Sequence, residues 1–533
     1  MSINPFALLA RRFDPAAPTS AARREMLKAS ALVGAGLMLS SLIAPSALAR
    51  GLAAAQTRAA DTKPVNGRRV IVVGAGLSGL ACAYELSQAG YDVQVFEARK
   101  RLGGRALSFS EFVPNKVVEA GGEFIGTNHP LWNAYAQRFN LELLDADADE
   151  QLNSPIVFNG RRLDDSEAER VYVELAGAFK GITNDASSID PDEPWKSPNA
   201  LELDSKTMAD WVASLSGLSA FSRKFLEVTL TANLGVALDR ASYLAMLACV
   251  KGGGLDKYWT ETETHRCATG AQSLAQKFAD ALGSERILLG TPIARIILAR
   301  GKAAIETVAG DRYEGDEIVV SVPPSAWRTI EFFPDLPRQL TPQMGSNIKF
   351  LAGVGRRFWR DAGSSAAGTS DGEVMLTWES TANQPGDAGA CLTAFAGGPA
   401  SEALRLRSDA NRQRDALMGL QGLFPGLSRE SVNGRFLDWP SDRWAGASYS
   451  FPAPGQVTTI SPVLQQPRAG TSTKPILHFA GEHCCTRFAG YMEGALQSGV
   501  SVARRIATRD GLAVAGPNPA KADPVSLPEP VER

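Results

Sequence analysis

The first clear hydrophobic pattern is the run Val70-Ile71-Val72-Val73, which passes directly into Gly74-Ala75-Gly76-Leu77-Ser78-Gly79. A short continuous apolar run closed by glycine predicts a strand buried on both faces. Leu80, Ala83, Tyr84 and Leu86 then recur at helical spacing until Ala89-Gly90. A second strand pattern, Val93-Gln94-Val95-Phe96, stops at Glu97. Between residues 130 and 256 the pattern turns helical, for example over 132–139, 165–182, 208–214 and 221–234. Linkers carrying Pro191, Pro194 and Pro198 separate these stretches, so the region reads as a helical insertion.

Strand patterns return after Arg266. A helix is predicted from 270 to about 282, then short strands at 287–289, 292–297, 303–308 and 317–322. Residues 347–354 form an apolar strand containing one lysine, Lys349, and further strands are expected at 375–378 and 391–396. A helix over 411–424 and a strand at 476–479 precede the last helix, which starts near Gly490 and runs to about 508. The chain beyond Gly511 is rich in Pro, Ala and Val without periodicity, and disorder is expected there.

The first of these patterns carries chemistry. Strand, glycine turn, helix, second strand and acid follow in the order of a dinucleotide-binding unit. Gly74 permits the tight turn, Gly76 lets backbone approach a pyrophosphate, and Gly79 lets helix pack on sheet. The helix start offers free N–H groups to phosphate. Glu97 is placed to accept hydrogen bonds from a ribose. Gly121-Gly122, at the end of another strand, suggests a second close approach of backbone to a flat ligand, or a β-bulge.

Composition narrows the function classes. A net charge of −2, without a basic block interleaved with aromatics, asks for no nucleic acid. None of the six cysteines forms a CxxC, and no histidine stands at ligand spacing from them, so no metal site is expected. Cys484-Cys485 reads as two small buried residues in preference to a strained vicinal disulfide. Arg23-Arg24, an apolar segment at 29–44 and Ala47-Leu48-Ala49 have the layout of a twin-arginine export signal cleaved near Ala49. That apolar segment is shorter than the ~18 residues a membrane span needs, although retention as an anchor is the alternative. Export of a folded protein suits a cofactor loaded in the cytoplasm, with the twin-arginine machinery as partner and the periplasm or exterior as destination.

Four separated segments resemble the flavin-containing amine oxidases, which include monoamine, polyamine and L-amino-acid oxidases and tryptophan 2-monooxygenases. They are residues 98–105 (ARKRLGGR), the strand around Lys349, residues 439–449, and residues 490–495 (GYMEGA). The resemblance implies an α/β flavoprotein: a Rossmann-type FAD-binding domain with a discontinuous α+β substrate domain. The expected organisation is a signal peptide at 1–49, a flexible leader at 50–67 and a tail at 511–533. The FAD domain would comprise 68–129, 262–330 and 430–510, and the substrate domain 130–261 and 331–429.

The resemblance also implies roles. Gly74, Gly76 and Gly79 would hold the pyrophosphate, Glu97 the adenosine ribose, and Arg99, Gly104 and Arg105 the phosphates and ribityl chain. Gly121 and Gly122 would approach the flavin ring, Ile293 the adenine, and Gly481 and Glu482 the ribityl or pyrophosphate. Gly490 and Met492 would bring backbone N–H to the ring. Lys349 takes the place of a lysine bridged by water to flavin N5, the alternative being a lysine snorkelling from an edge strand. Tyr449 and Tyr491 would form an aromatic cage for the amine. Ser448 stands where some relatives carry the cysteine linked to flavin, so non-covalent FAD is expected.

The reaction implied is oxidative deamination of an amine with dioxygen reduced to hydrogen peroxide. A dehydrogenase using another acceptor, an amino-acid oxidase or monooxygenase, a desaturase and a non-catalytic flavoprotein are the rivals. Many amino-acid oxidases keep an arginine just past the paired glycines, where this chain has Glu123, Phe124 and Ile125. Arg487 is the substitute considered for gripping a substrate carboxylate.

Overall fold

The computed structural model describes residues 4–14, 67–149, 151–299, 301–470 and 475–517. The twin arginines, the cleavage site, the leader up to residue 66 and the tail beyond 517 lie outside the described residues.

The apolar runs build a five-stranded parallel sheet in the order Leu477–Phe479, Glu317–Val320, Arg69–Val73, Asp92–Phe96, Ile287–Leu288. Arg69–Val73 is the central strand. Its Val70, Ile71 and Val72 are fully buried because helices or loops cover both faces. The helix Leu77–Gln88 leaves this strand through the glycine turn. The last helix, Met492–Arg509, packs across it, and at Gly499 a Cβ would meet Ser78 O at 2.2 Å. A four-stranded sheet of Ile293–Ala299, Lys302–Thr307, Arg312–Gly315 and Glu331–Phe333 flanks this layer.

The second half rests on a seven-stranded sheet in the order Asn433–Asp438, Asn347–Val354, Ala390–Gly397, Leu376–Glu379, Gly368–Ser370, Ile156–Phe158, Arg161–Arg162. Six helices between Asp165 and Glu261 share one apolar cluster with it. The strand carrying Lys349 is hydrogen-bonded on both sides and buried at every position. It is a central strand, so the edge-strand alternative for Lys349 does not hold.

Three sequence boundaries shift. Asn433–Asp438 pairs with the lysine strand, so chain after 430 returns to the dinucleotide-type half only past 438. Glu331–Phe333 pairs with Ile293–Ala299, which moves the boundary at 330 past 333. At the C-terminus, Leu512 and Val514 pack on the first-helix cluster and Arg504 donates to Gly516 O, so 511–517 is ordered chain. Their burial lay hidden because two apolar residues in a tail carry no period. Within the stretch assigned to the export signal, Pro5–Phe13 forms a helix. Its Phe6 ring packs 4.4 Å from Phe179, and Asn4 Nδ2 donates to Trp259 O.

Candidate active site

The glycine turn, the two sheets and the last helix meet around one large cavity. Its lining includes Gly74, Gly76, Glu97, Arg99, Gly104, Arg105, Gly121, Gly122, Ile293, Lys349, Tyr449, Gly481, Glu482, Gly490, Tyr491 and Met492. Of the residues expected to hold the flavin, Gly79 is not on that wall. A Cβ there would fall 2.1 Å from Gly74 O, so this glycine serves helix–strand contact.

At one end the cavity suits an anionic, phosphate-bearing group. Gly74 has φ +109°, a conformation that favours glycine. The helix Leu77–Gln88 has Gly76 at its N-cap and no capping side chain, so its first N–H groups face the cavity unpaired by a cap. A Cβ on Gly76 would meet no protein atom within 4 Å, and would project into the cavity. Glu97 is buried and held by Ala75 N–H and Arg99 N–H, both at 2.8 Å. Arg99 is also engaged by Asp442.

The middle of the cavity is tied together by Glu482. Its carboxylate accepts from Arg105 at 2.8 Å, from Gly490 N–H at 2.9 Å and from the Ser450 hydroxyl at 2.5 Å. Burial alone would raise its pKa, but Arg105, His483 and the Ser450 hydroxyl hold it below the ordinary carboxylate value. Met492 Sδ lies 2.9 Å from where a Gly122 Cβ would be, so the Met492 side chain lies against that glycine. Ser448 donates to Asn347 Oδ1 at 2.7 Å, and no cysteine lines the wall.

The far end is aromatic and apolar. Tyr449 donates to Asn233 O at 2.9 Å. Tyr491 packs edge-on to Phe488 and His129, and its hydroxyl bonds the Glu263 carboxylate at 3.0 Å. Burial pushes Glu263 up to about 7. Phe124, Ile348 and Phe395 complete this end. Lys349 enters here from the central strand. Its ammonium donates to Gly121 O at 2.8 Å, Glu123 Oε2 at 2.9 Å and Glu119 O at 3.3 Å.

Residues 77–507 match the family described as flavin containing amine oxidoreductase. The chain belongs to this family. It is 28% identical over 461 residues to the L-amino acid dehydrogenase of Synechocystis sp., covering 82% of this chain and 94% of that one. It is 28% identical over 466 residues to the amine oxidase B of Homo sapiens, covering 82% and 85%. Among solved structures, the cyclohexylamine oxidase of Brevibacterium oxydans superposes with a TM-score of 0.74 at 27% identity, over 83% of this chain and 99% of that one.

As a flavin amine oxidoreductase, the chain needs room for a flavin, and the lining fits one. An uncapped helix start answers the phosphates, the side-chain position of Gly76 stays open, and the aromatic end suits an amine. Sequence reasoning missed three features. Glu263 stands beside Tyr491, Glu123 beside Lys349, and Trp444 on the cavity wall. Glu123 was visible next to the paired glycines, but only as the place where an arginine is absent. Arg487 is not the replacement. Asp192 grips it through two bonds, at 2.5 and 2.9 Å, and it lies off the cavity wall. Cys484 and Cys485 are free thiols, and no cluster of metal-ligating residues occurs among the described residues.

Proposed function

We propose that the chain is an exported FAD-dependent amine oxidase that oxidatively deaminates a small amine, with the FAD bound non-covalently. The observation that carries this reading is the continuity of one cavity from the uncapped helix start at Gly76 to Tyr449 and Tyr491. Gly74, Gly76, Glu97, Arg99, Gly104 and Arg105 would hold the adenine-dinucleotide half. Ile293 would meet the adenine, Gly481 and Glu482 the ribityl chain, and Gly121, Gly122, Gly490 and Met492 the ring. Gly79 contributes by closing the turn. Ser448, a hydroxyl occupied by Asn347, offers no thioether.

Held by these residues, a bound flavin would supply the acceptor for the hydride equivalent of the amine's α-carbon. The residues supply orientation and a dry pocket. Tyr449 and Tyr491 are both anchored through their hydroxyls, so their rings can hold an amine in one pose without reorganising. Burial raises both hydroxyls well above the ordinary tyrosine value, so both rings stay neutral. The substrate loses two electrons and two protons to become an imine. Water then hydrolyses the imine to a carbonyl compound and ammonia.

Dioxygen reduced to hydrogen peroxide is the acceptor reaction of this proposal. A dehydrogenase passing electrons elsewhere is the second reading, favoured by the full set of protein acceptors on the Lys349 ammonium. The twin-arginine layout at Arg23-Arg24 supports export through that machinery. To test the central reading, purified holoenzyme is mixed anaerobically with amines, polyamines and L-amino acids. Bleaching of the flavin by one amine series is expected, with peroxide forming once air is admitted. A flavin that no amine or amino acid bleaches would sink the proposal.

A further inference from the structure

Arg266 lies on the short strand His265–Cys267, which pairs with Leu143–Asp145 and bridges to Ile125, just past the glycines at 121 and 122. Its side chain is 1% exposed and sits off the cavity wall, behind Glu123. Its Nη2 donates to Ala146 O at 3.2 Å and lies 3.5 Å from Glu123 Oε1. Its Nε and Nη1 have no hydrogen-bond partner among the described residues. A buried guanidinium with unanswered N–H groups costs stability, so packing does not account for it. Glu123 is shared between this cation and another. Its Oε2 accepts from Lys349 at 2.9 Å, while Ser380 Oγ donates to Oε1, the oxygen facing Arg266, at 2.9 Å. Burial alone would raise the Glu123 carboxyl, but Lys349 and Arg266 hold it below the ordinary carboxylate value, so it is anionic. Two cations therefore meet one carboxylate. The Glu119 carboxyl, which feels both Glu123 and Lys349, is raised by burial to about 7 and is mostly protonated at pH 6. The cluster then carries one net positive charge, and Lys349 and Glu123 bring it to the cavity wall. The Lys349 hydrogens go to Gly121 O, Glu123 Oε2 and Glu119 O, and the two carbonyls among these acceptors leave the charge in place.

We propose that Arg266 is a positioning residue for the reaction with dioxygen: by sharing Glu123 it keeps the Lys349 end of the cluster net positive beside the place of the flavin ring. The inference rests on the flavin amine oxidase reading above. Reduction of the flavin adds electrons to the ring, and a fixed positive charge nearby favours the reduced form. The first electron passed to dioxygen creates superoxide anion in a site short of water, and the same charge lowers that barrier. Overall, dioxygen takes two electrons and two protons from the reduced flavin. Two N–H bonds break, two O–H bonds form, and oxidised flavin and hydrogen peroxide result. Without Arg266, Glu123 and Lys349 would neutralise each other and both effects would be lost.

The test measures the flavin midpoint potential of holoenzyme at pH 6, by anaerobic equilibration with xanthine, xanthine oxidase and a reference dye, so no amine is needed. In Arg266→Met the potential should fall by about 30 mV or more, the two-electron equivalent of a tenfold weaker reduction. After anaerobic reduction with dithionite, reoxidation by dioxygen in a stopped-flow instrument should slow by about fivefold or more. The double variant Glu123→Gln, Arg266→Met removes one charge of each sign and restores one net positive charge at Lys349. It should recover most of the lost potential and rate, which a merely structural role for Arg266 would not produce. If Arg266→Met does not retain flavin, Arg266→Gln removes the same charge and reads the same shift. An unchanged potential in the neutral variants, a dioxygen rate that does not fall with it, or a loss that the double variant leaves in place would overturn the proposal. Absence of bleaching by every amine would instead count against the amine oxidase reading and leave the potentials readable.

Discussion

At the scale of single residues, the site works by holding polar groups in fixed states. Tyr491 is anchored through Glu263, and its ring forms one wall of the proposed cage. Replacing Tyr491 with Ala removes the ring and should lower kcat/KM for the best amine about tenfold to a hundredfold, with the flavin still bound. Tyr491→Phe keeps the ring and should lose much less, which steady-state kinetics on the two variants would show. Burial also stores protons. Glu119, Glu263 and Glu493 are each raised by burial from 4.5 to about 7. Between those values the folded chain holds protons that the unfolded chain has released. Stability from these groups is therefore full below about 4.5, falls as pH rises to 7, and stays low above it. Glu493 accepts from Leu131 and Trp132 N–H at the start of the helix Pro130–Arg138. In Glu493→Gln an acceptor oxygen remains and the titration is lost. Relative to wild type, the variant should gain about 2 kcal/mol of stability between pH 5 and pH 8. Urea unfolding at the two pH values measures this difference.

At the scale of elements, close approach between helices and turns sets the shape of the cavity. Gly499 lets the last helix lie on the first, against Ser78 O, and Gly121 lets its turn pass close to Arg105 O. A Gly499→Val substitution forces the two helices apart. It should cost about 1–3 kcal/mol of stability and weaken flavin retention, because Met492 and Gly76 belong to the separated helices. Thermal unfolding and the flavin-to-protein absorbance ratio report the two effects. The lysine strand shows how an element decides a residue's chemistry. Lys349 lies on a strand paired on both sides and is buried, so its ammonium finds partners inside. The helix Pro5–Phe13 belongs at this scale too. Its short apolar stripe seats Phe6 and Leu9 in the helical half.

At the scale of the whole molecule, two sheets of different type enclose one cavity. The parallel sheet brings the glycine turn and the end of Leu477–Phe479 together, and the seven-stranded sheet delivers Lys349. Among the described residues no cysteine lines the cavity wall, which supports the proposed non-covalent binding. Acid precipitation of the holoenzyme should leave the yellow colour in the supernatant, with FAD identified there by chromatography. Colour retained in the pellet would contradict non-covalent binding.

Read alone, the chain already specified the elements and the dinucleotide end of the cavity. Gly74, Gly76, Gly79 and Glu97 lie on one strand–turn–helix–strand unit, where backbone geometry and short-range spacing determine what each residue faces. The lysine strand was legible for the same reason, as an apolar run of strand length. The partners at the aromatic end were not. Lys349 and Glu123 are 226 positions apart, and Tyr491 and Glu263 are 228 apart. No period or local spacing links residues at such distances. Only the packing of the last helix and the central strand around the Gly121-Gly122 turn decides which carboxylate meets which donor, and so which charges remain available to a substrate or an oxidant.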